Sequence, residues 1–178
     1  MKTILKTLFL LLPLSYSMSQ LSAQNIQSEK SEVTFKIKNL GFYVNGTLSN
    51  PTGEIVWNES NLSASKISAS VKVSTIDTDN GTRDKHLKQS DYFYATKYPE
   101  IKFHSTTISK SGDDYTAKGK MTIKGTEKDI SINFSVSEND EATTFKGKFK
   151  IDRRKFKVGG GSFVLSDDVI VKFELATK

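Results

Sequence analysis

The sequence predicts an all-β protein, an eight-stranded antiparallel barrel with one short helix between its central strands. Apolar and polar residues alternate with a period of two through most of the chain, and turn residues separate the alternating runs at short intervals. The apolar face of these runs is rich in Phe, Ile, Val and Leu, whereas the polar face repeatedly carries lysine. Because exposed strand edges are a liability in a large sheet, we expect closure into a barrel rather than an open sandwich.

The first 23 residues have the features of a secretory signal peptide. Lys2 and Lys6 precede an apolar run at residues 8–14, and small and polar residues follow as far as Ala23. The run is too short to span a bilayer. We therefore predict a signal peptide at 1–23 and one exported domain at 24–178, located in the periplasm if the source is a two-membrane bacterium.

Composition excludes several classes of site. The chain has no cysteine, which excludes a disulfide framework and a lipid-modified N-terminal cysteine. The net charge of +6 is spread along many strands, so we expect no nucleic-acid surface. The two histidines, His86 and His104, do not form a closely spaced pair, so we expect no metal site and no cofactor.

The alternating runs account for most of the chain after the signal peptide. They cover residues 33–37, 42–48, 55–57, 67–73, 101–103, 115–123, 130–136, 145–151 and 169–175. A lysine on the lipid face of an outer-membrane barrel costs roughly 2–4 kcal/mol at mid-membrane, so the lysine-bearing face points to water and the apolar face inward. A barrel of this size either fills its interior with side chains or encloses one slender ligand, and both possibilities stay open here.

A central segment, residues 74–103, interrupts the alternation. Asn80 marks a turn, and Thr82 is a candidate N-cap for a short helix that begins near Arg83. Pro99 forces the preceding residue into an extended conformation and excludes a long helix. We expect a short helical plug between two strands, anchored by the aromatic residues that follow it.

Charged residues of this plug raise the possibility of catalysis. Arg83, Asp84 and His86 are candidates for an acid–base cluster. Helical spacing places Arg83 and His86 on one face and rotates Asp84 away, so we expect Asp84 to support the helix dipole and a hydrogen bond instead. An enzyme that uses these three residues is the less favoured alternative. The favoured prediction is a protein that is not an enzyme and has no catalytic residues.

Two further motifs precede the last run. The glycines at 159–161 lack the strand-before, helix-after context of a phosphate loop, and we interpret them as a flexible hairpin or rim loop. Residues 153–155, Arg-Arg-Lys, form a positive cluster that we interpret as a solvated turn, with contact to an anionic head group as the alternative.

The central segment also resembles a known family signature. The motifs Ser74-Thr75-Ile76-Asp77-Thr78, Arg83-Asp84-x-His86-Leu87-Lys88 and Tyr98-Pro99-x-Ile101-x-Phe103 closely resemble those of the YceI-like family. Matching flanks extend from Ser31 to Val169, so the resemblance covers nearly all of the predicted mature chain. It implies a lipocalin-like barrel in the periplasm that holds a polyisoprenoid or a similar long apolar lipid.

The resemblance and the inward-facing pattern together give a candidate ligand site. We expect wall residues at Phe35, Ile37, Val44, Val71, Val73, Phe103, Met121, Phe134 and Phe149. We expect Leu87, Tyr92 and Phe93 to line or close one end, and Arg83 and His86 to meet a polar head. The predicted function is binding for transport, storage or sensing, with no membrane-spanning segment in the mature chain; monomer and homodimer both stay open. A filled barrel that acts through protein–protein contact is the second alternative.

Overall fold

The computed structural model describes residues 22–178. The predicted signal peptide therefore lies outside the described residues, apart from its last two positions. Within the described range, no helix combines the length and the apolar composition that crossing a membrane requires.

In the described part of the chain, residues 22–178, eleven strands form one antiparallel sheet, and a single α-helix interrupts it. The strands are β1 (Ala23–Asn25), β2 (Glu32–Asn39), β3 (Phe42–Leu48), β4 (Thr52–Val56), β5 (Lys66–Lys72), β6 (Ile76–Asp77), β7 (Glu100–Ser111), β8 (Asp114–Ile123), β9 (Thr126–Glu138), β10 (Thr143–Asp152) and β11 (Leu165–Thr177). Helix α1 spans Gly81–Leu87, and 3-10 turns lie at Ser28–Lys30, Leu62–Ala64, Val73–Thr75 and Arg153–Phe156.

This architecture confirms the predicted all-β fold with a short helix between central strands. The predicted count of eight is too low: the described sheet has eleven strands, and β1 and β6 correspond to none of the predicted runs. Strands β1 and β6 have three and two residues, too few for an alternating pattern to be recognised.

The N-terminal segment brings the two sides of the sheet together. The strand order is β1-β4-β5-β7-β8-β9-β10-β11-β2-β3-β6. Strand β1 pairs with β4, and Ile26, which follows it, bridges Thr177 in β11. The Ile26 N–H donates to the Gly53 carbonyl at 2.9 Å, and the Gln27 N–H donates to the Ala176 carbonyl at 2.8 Å. The sheet therefore curls round until β4 and β11 are joined.

The curled sheet has two ends of different construction. At the aromatic end, near the β7–β8 and β9–β10 turns, the rings of Trp57, Tyr115, Phe134 and Phe145 pack together. The loop end consists of the β2–β3 and β8–β9 turns with residues 88–98 and 153–164.

Hydrogen bonds tie the segments of the loop end to one another. The Lys124 ammonium donates to the carbonyls of Asp91, at 3.2 Å, and Lys157, at 2.8 Å. The Gly159 N–H donates to the Asp91 carbonyl at 2.9 Å. The β8–β9 turn, the segment after α1 and the segment before β11 therefore form one layer.

Helix α1 begins earlier than the sequence predicted. Asn80 is the N-cap, because its backbone is extended and its side-chain oxygen accepts a hydrogen bond from the Arg83 N–H at 3.0 Å. Thr82 lies inside the first turn, so the N-cap prediction for Thr82 was wrong. Asn and Thr are both good caps, and the spacing to Arg83 decides between them.

Candidate functional site

An apolar cavity of about 220 Å³ lies inside the curled sheet. Strands on all sides of the sheet contribute to its wall, together with α1 and the segments that follow α1 and β10. The lining is almost entirely apolar; Ser70, Lys102 and Arg153 are its polar members. The alternation of the strands explains the wall, because every second residue of each strand faces the interior.

Ten of the fourteen predicted site residues lie in this wall. They are Phe35, Ile37, Val71, Leu87, Tyr92, Phe93, Phe103, Met121, Phe134 and Phe149. Whether they contact a ligand remains a prediction, but the structure brings them around one cavity.

Four predicted site residues lie elsewhere. Val44 pairs with Ile37 in the β2–β3 register, yet it sits beyond the cavity wall and is half-buried. Val73 is buried in the 3-10 turn after β5, where the period of two no longer applies, and its N–H donates to the Pro99 carbonyl at 2.8 Å. Arg83 and His86 are not wall residues either.

Arg83 and Asp84 hold the backbone that precedes α1. The Arg83 guanidinium donates to the Thr78 hydroxyl at 2.7 Å and to the Thr78 carbonyl at 2.6 Å. The buried Asp84 carboxylate accepts from the Thr78 N–H at 3.0 Å and from its hydroxyl at 2.6 Å. The expected hydrogen-bonding role of Asp84 is therefore observed, and Arg83 has a role in the same network.

His86 takes no part in that network. Its ring is exposed and packs edge-on against Tyr92, with ring centroids 4.9 Å apart. The hydrogen bonds of Arg83 and Asp84 go to the Thr78 region and not to His86, so the three residues do not form one acid–base cluster. Across residues 22–178, no three His, Asp or Glu side chains are grouped so as to hold a metal ion.

Arg153 is a further residue that sequence reasoning placed wrongly. We predicted a solvated turn, whereas the Arg153 side chain is 4% exposed and borders the cavity. Its guanidinium donates to the backbone carbonyls of Ser166 and Val158, both at 2.9 Å, and of Gly160 at 3.0 Å. It also pairs with the Asp167 carboxylate at 3.1 Å.

The Arg153 contacts fix the loop that leads into β11. Gly159 has a φ of +67°, and an added Cβ would lie 2.8 Å from the Arg153 guanidinium and 3.0 Å from the Tyr92 ring. Only glycine combines this backbone conformation with so close an approach. An acidic residue after a glycine-rich loop was the available sequence signal, but it does not show which of two adjacent arginines turns inward.

The aromatic end carries a second polar contact. Glu59 accepts hydrogen bonds from the Lys110 ammonium at 2.8 Å and the Tyr115 hydroxyl at 2.7 Å. These bonds, first that from Lys110, lower the pKa of Glu59, and the bond to Glu59 raises the pKa of Lys110 to about 12. The hydrogen bond to Glu59, assisted by burial, raises the pKa of Tyr115. The contact holds the β7–β8 hairpin to the segment after β4.

Comparison with known proteins identifies relatives along the whole described domain. The family model for the YceI-like domain matches residues 24–177. A UPF0312 protein of Photorhabdus laumondii is 29% identical over 159 residues, which cover 84% of this chain and 83% of that protein.

Solved structures share the fold. The crystal structure of Burkholderia cenocepacia BcnA has a TM-score of 0.82 and 25% identity, covering 86% of this chain and 99% of that one. A polyisoprenoid binding domain from Saccharophagus degradans has a TM-score of 0.72, covering 89% of this chain and 99% of that one. Its identity is 13%, so it supports the fold alone.

Proposed function

This chain belongs to the YceI-like family, and from that premise we propose that it binds a polyisoprenoid or a similar long apolar lipid. The apolar cavity inside the sheet is the observation that carries the proposal. Its wall is almost entirely apolar. Each buried CH₂ group contributes roughly 0.8 kcal/mol, so a slender apolar chain needs few polar contacts to bind there.

The cavity volume defines what part of a lipid fits. A dry cavity of about 150 Å³ lined by Leu, Ile and Phe holds a benzene molecule. The cavity of about 220 Å³ in this protein is therefore suited to one segment of an apolar chain rather than to a bulky ring system. The name of the Saccharophagus degradans neighbour is consistent with this ligand class.

We further propose that residues 1–23 direct export and that the mature domain acts in the periplasm. The charged start and the short apolar run support this, as does a family match that begins at residue 24. Removal of residues 1–23 would leave Gln24, whose side chain accepts a hydrogen bond from the Thr177 hydroxyl at 2.7 Å. The proposed role of the protein is to transport, store or sense the bound lipid. The protein does not convert the lipid chemically.

Native mass spectrometry with organic extraction tests the proposed cargo. The protein is purified without detergent from the exported fraction of its own host. A long apolar species at one per chain supports the proposal and identifies the ligand, and the same spectrum reports monomer or homodimer. The proposal is contradicted if the protein has the mass of the polypeptide alone and does not bind added polyprenyl lipids. This result would favour the protein-contact alternative.

A matched pair of variants tests whether the cavity is the lipid site. Ala69 lies in the cavity wall, whereas its neighbour Ser68 faces outward and contacts His104 at 3.1 Å. We expect Ala69→Phe to fill the cavity, at a stability cost of about 1–3 kcal/mol, and to reduce lipid retention at least about tenfold. Ser68→Phe adds the same ring to the outer face and should retain lipid. Equal lipid retention by both variants would show that the cavity is not the lipid site.

A further inference from the structure

Four large apolar side chains project from the loop end into solvent. Leu40 is 67% exposed, Phe42 79%, Phe163 111% and Val164 49%. The Leu40 N–H donates to the Val164 carbonyl at 2.9 Å, so the β2–β3 turn and the loop before β11 are joined. We call these four side chains the apolar tip. Their number and proximity distinguish them from the isolated exposed apolar residues of ordinary surfaces.

Leu40 is an unfavourable residue for its backbone. Asn39 pairs with Phe42, so Leu40 and Gly41 form a two-residue turn, and both have positive φ, +52° and +83°. Such turns favour Asn followed by Gly, since asparagine tolerates the left-handed region better than leucine. An exposed leucine here helps neither the turn nor solubility. Its apolar side chain therefore points to a contact outside the protein.

Basic side chains adjoin both segments that carry the tip. The ammonium groups of Lys36 and Lys38 lie 4.4 and 5.3 Å from the ring centre of Tyr43, which is next to Phe42 and half exposed. The Arg154 guanidinium lies against Gly161, with 3.7 Å to the position of an added Cβ, close to Phe163. We call Lys36, Lys38, Arg154 and Lys155 the basic collar.

The collar is only partly neutralised by the protein itself. Arg154 shares the Asp167 carboxylate with Arg153. Across residues 22–178, Lys36, Lys38 and Lys155 make no ion pair. Exposed apolar side chains next to cations and a half-exposed tyrosine match the layers of a bilayer with anionic headgroups.

The tip also lies next to the cavity. Phe163 and Val164 directly precede Leu165, which lines the cavity and pairs with Asn39. Ile37, two residues before Asn39, lines the same cavity. The tip therefore lies at the loop end of the cavity.

We propose that the apolar tip inserts into the surface of an anionic lipid bilayer, with the basic collar at the level of the headgroups. Insertion buries the four apolar side chains and places the loop end of the cavity against hydrocarbon. This docking does not depend on which cargo the cavity holds, or on whether it holds one.

Vesicle flotation tests the proposal with the full mature domain. The vesicles are phosphatidylcholine alone, or equal parts of phosphatidylcholine and phosphatidylglycerol. We expect the protein to float with the anionic vesicles and less with the neutral ones. Leu40→Asn combined with Phe163→Ser should weaken this partition at least about tenfold, because two apolar side chains no longer transfer from water.

Two charge variants separate insertion from general attraction. Lys36→Glu with Lys38→Glu should remove the preference for anionic vesicles. Lys66→Glu with Lys118→Glu makes the same change of charge at exposed sites away from the tip. This control variant should retain most of the preference for anionic vesicles. Leu40→Asn also favours the turn, so the tip variant should melt no lower than the parent protein.

Each remaining outcome overturns the proposal. Unchanged flotation of the tip variant would mean that charge alone attracts the protein. Absence of vesicle binding by the parent, together with a self-association that the tip variant loses, would assign the tip to contact between two copies. Lipid extracted from the tip variant is measured separately, so a failure of docking is distinguishable from a failure of the proposed cargo.

Discussion

The two ends of the sheet close the same cavity by different physical means. At the aromatic end, Trp57 meets Tyr115 and Phe145 edge-on, with ring centroids 4.8 and 5.4 Å apart. At the loop end, the Arg153 guanidinium holds a glycine-containing loop through its carbonyls. Packed rings cannot separate without exposing apolar surface, whereas loop carbonyls can exchange their donors for water. The comparison favours the loop end as the route by which a ligand enters.

The largest expected effect separates a tightly packed wall residue from a loosely packed one. Phe145 and Phe149 lie in the same strand and both line the cavity, but Phe145 is completely buried among the rings of the aromatic end, whereas Phe149 is half-buried. We expect Phe145→Ala to lower the free energy of unfolding by about 3–5 kcal/mol. Phe149→Ala should cost clearly less, because less of its ring is packed. Urea denaturation measures the free energy of unfolding of both variants. Equal losses would contradict the difference in packing between the two positions.

The next effect concerns the polar anchor of the loop end. Arg153→Ala leaves several inward-facing carbonyls without a donor, and we expect a loss of about 2–3 kcal/mol. Arg154 is exposed and shares the same Asp167 carboxylate, so Arg154→Ala is a matched control that should cost less than about 1 kcal/mol. Hydrogen exchange should show residues 157–166 opening in the first variant while β8 and β9 stay protected. Uniform loss of protection would mean that Arg153 supports the whole fold instead of one end.

The smallest effect lies at the aromatic end and depends on pH. The pKa of Glu59 is lowered from 4.5, so its contact with Lys110 stabilises the fold above that pH and is lost as pH falls through the lower value. The pKa of Lys110 is raised from 10.5 to about 12, so the same contact is lost again as pH rises through about 12. The melting temperature of the parent protein should therefore fall at low pH and again at high pH. Glu59→Gln should make both falls shallower in a series of melting temperatures measured against pH. Because both groups are largely exposed, the change should be small, and unaltered slopes would show that the contact has no role in stability.

Sequence reasoning predicted the long strands because their signal is local. The runs at 115–123 and 145–151 lie within β8 and β10, whose inward residues were identified from the period of two alone. Ten wall residues followed from the same pattern and the family resemblance. Val73 shows the limit of the period-of-two pattern. Strand β5 ends at Lys72 and a 3-10 turn begins at Val73, so the alternation no longer applies there.

The polar part of the loop end was not predictable in the same way. Two adjacent arginines, Arg153 and Arg154, have opposite environments, and the distinction arises from carbonyls supplied by residues 158–166. The destination of the Arg83 guanidinium likewise depends on how the chain turns at Thr78. Hydrogen bonds of this kind are set by the tertiary path of the backbone and leave no periodic trace in the sequence.

The bridge between Ile26 and Thr177 and the pairing of β11 with β2 both join the start of the described chain to its last strand. Strand β11 pairs with β10 on one side and with β2 on the other, so Phe173 lies beside Val33. A ribosome delivers Val33 long before Phe173, and until then β2 has β3 alone as a neighbour. Such distant pairing makes for slow folding, in the range of milliseconds to seconds. The hairpins β7–β8 and β8–β9 can form first, and the docking of β11 beside β2 completes the enclosure of the apolar interior.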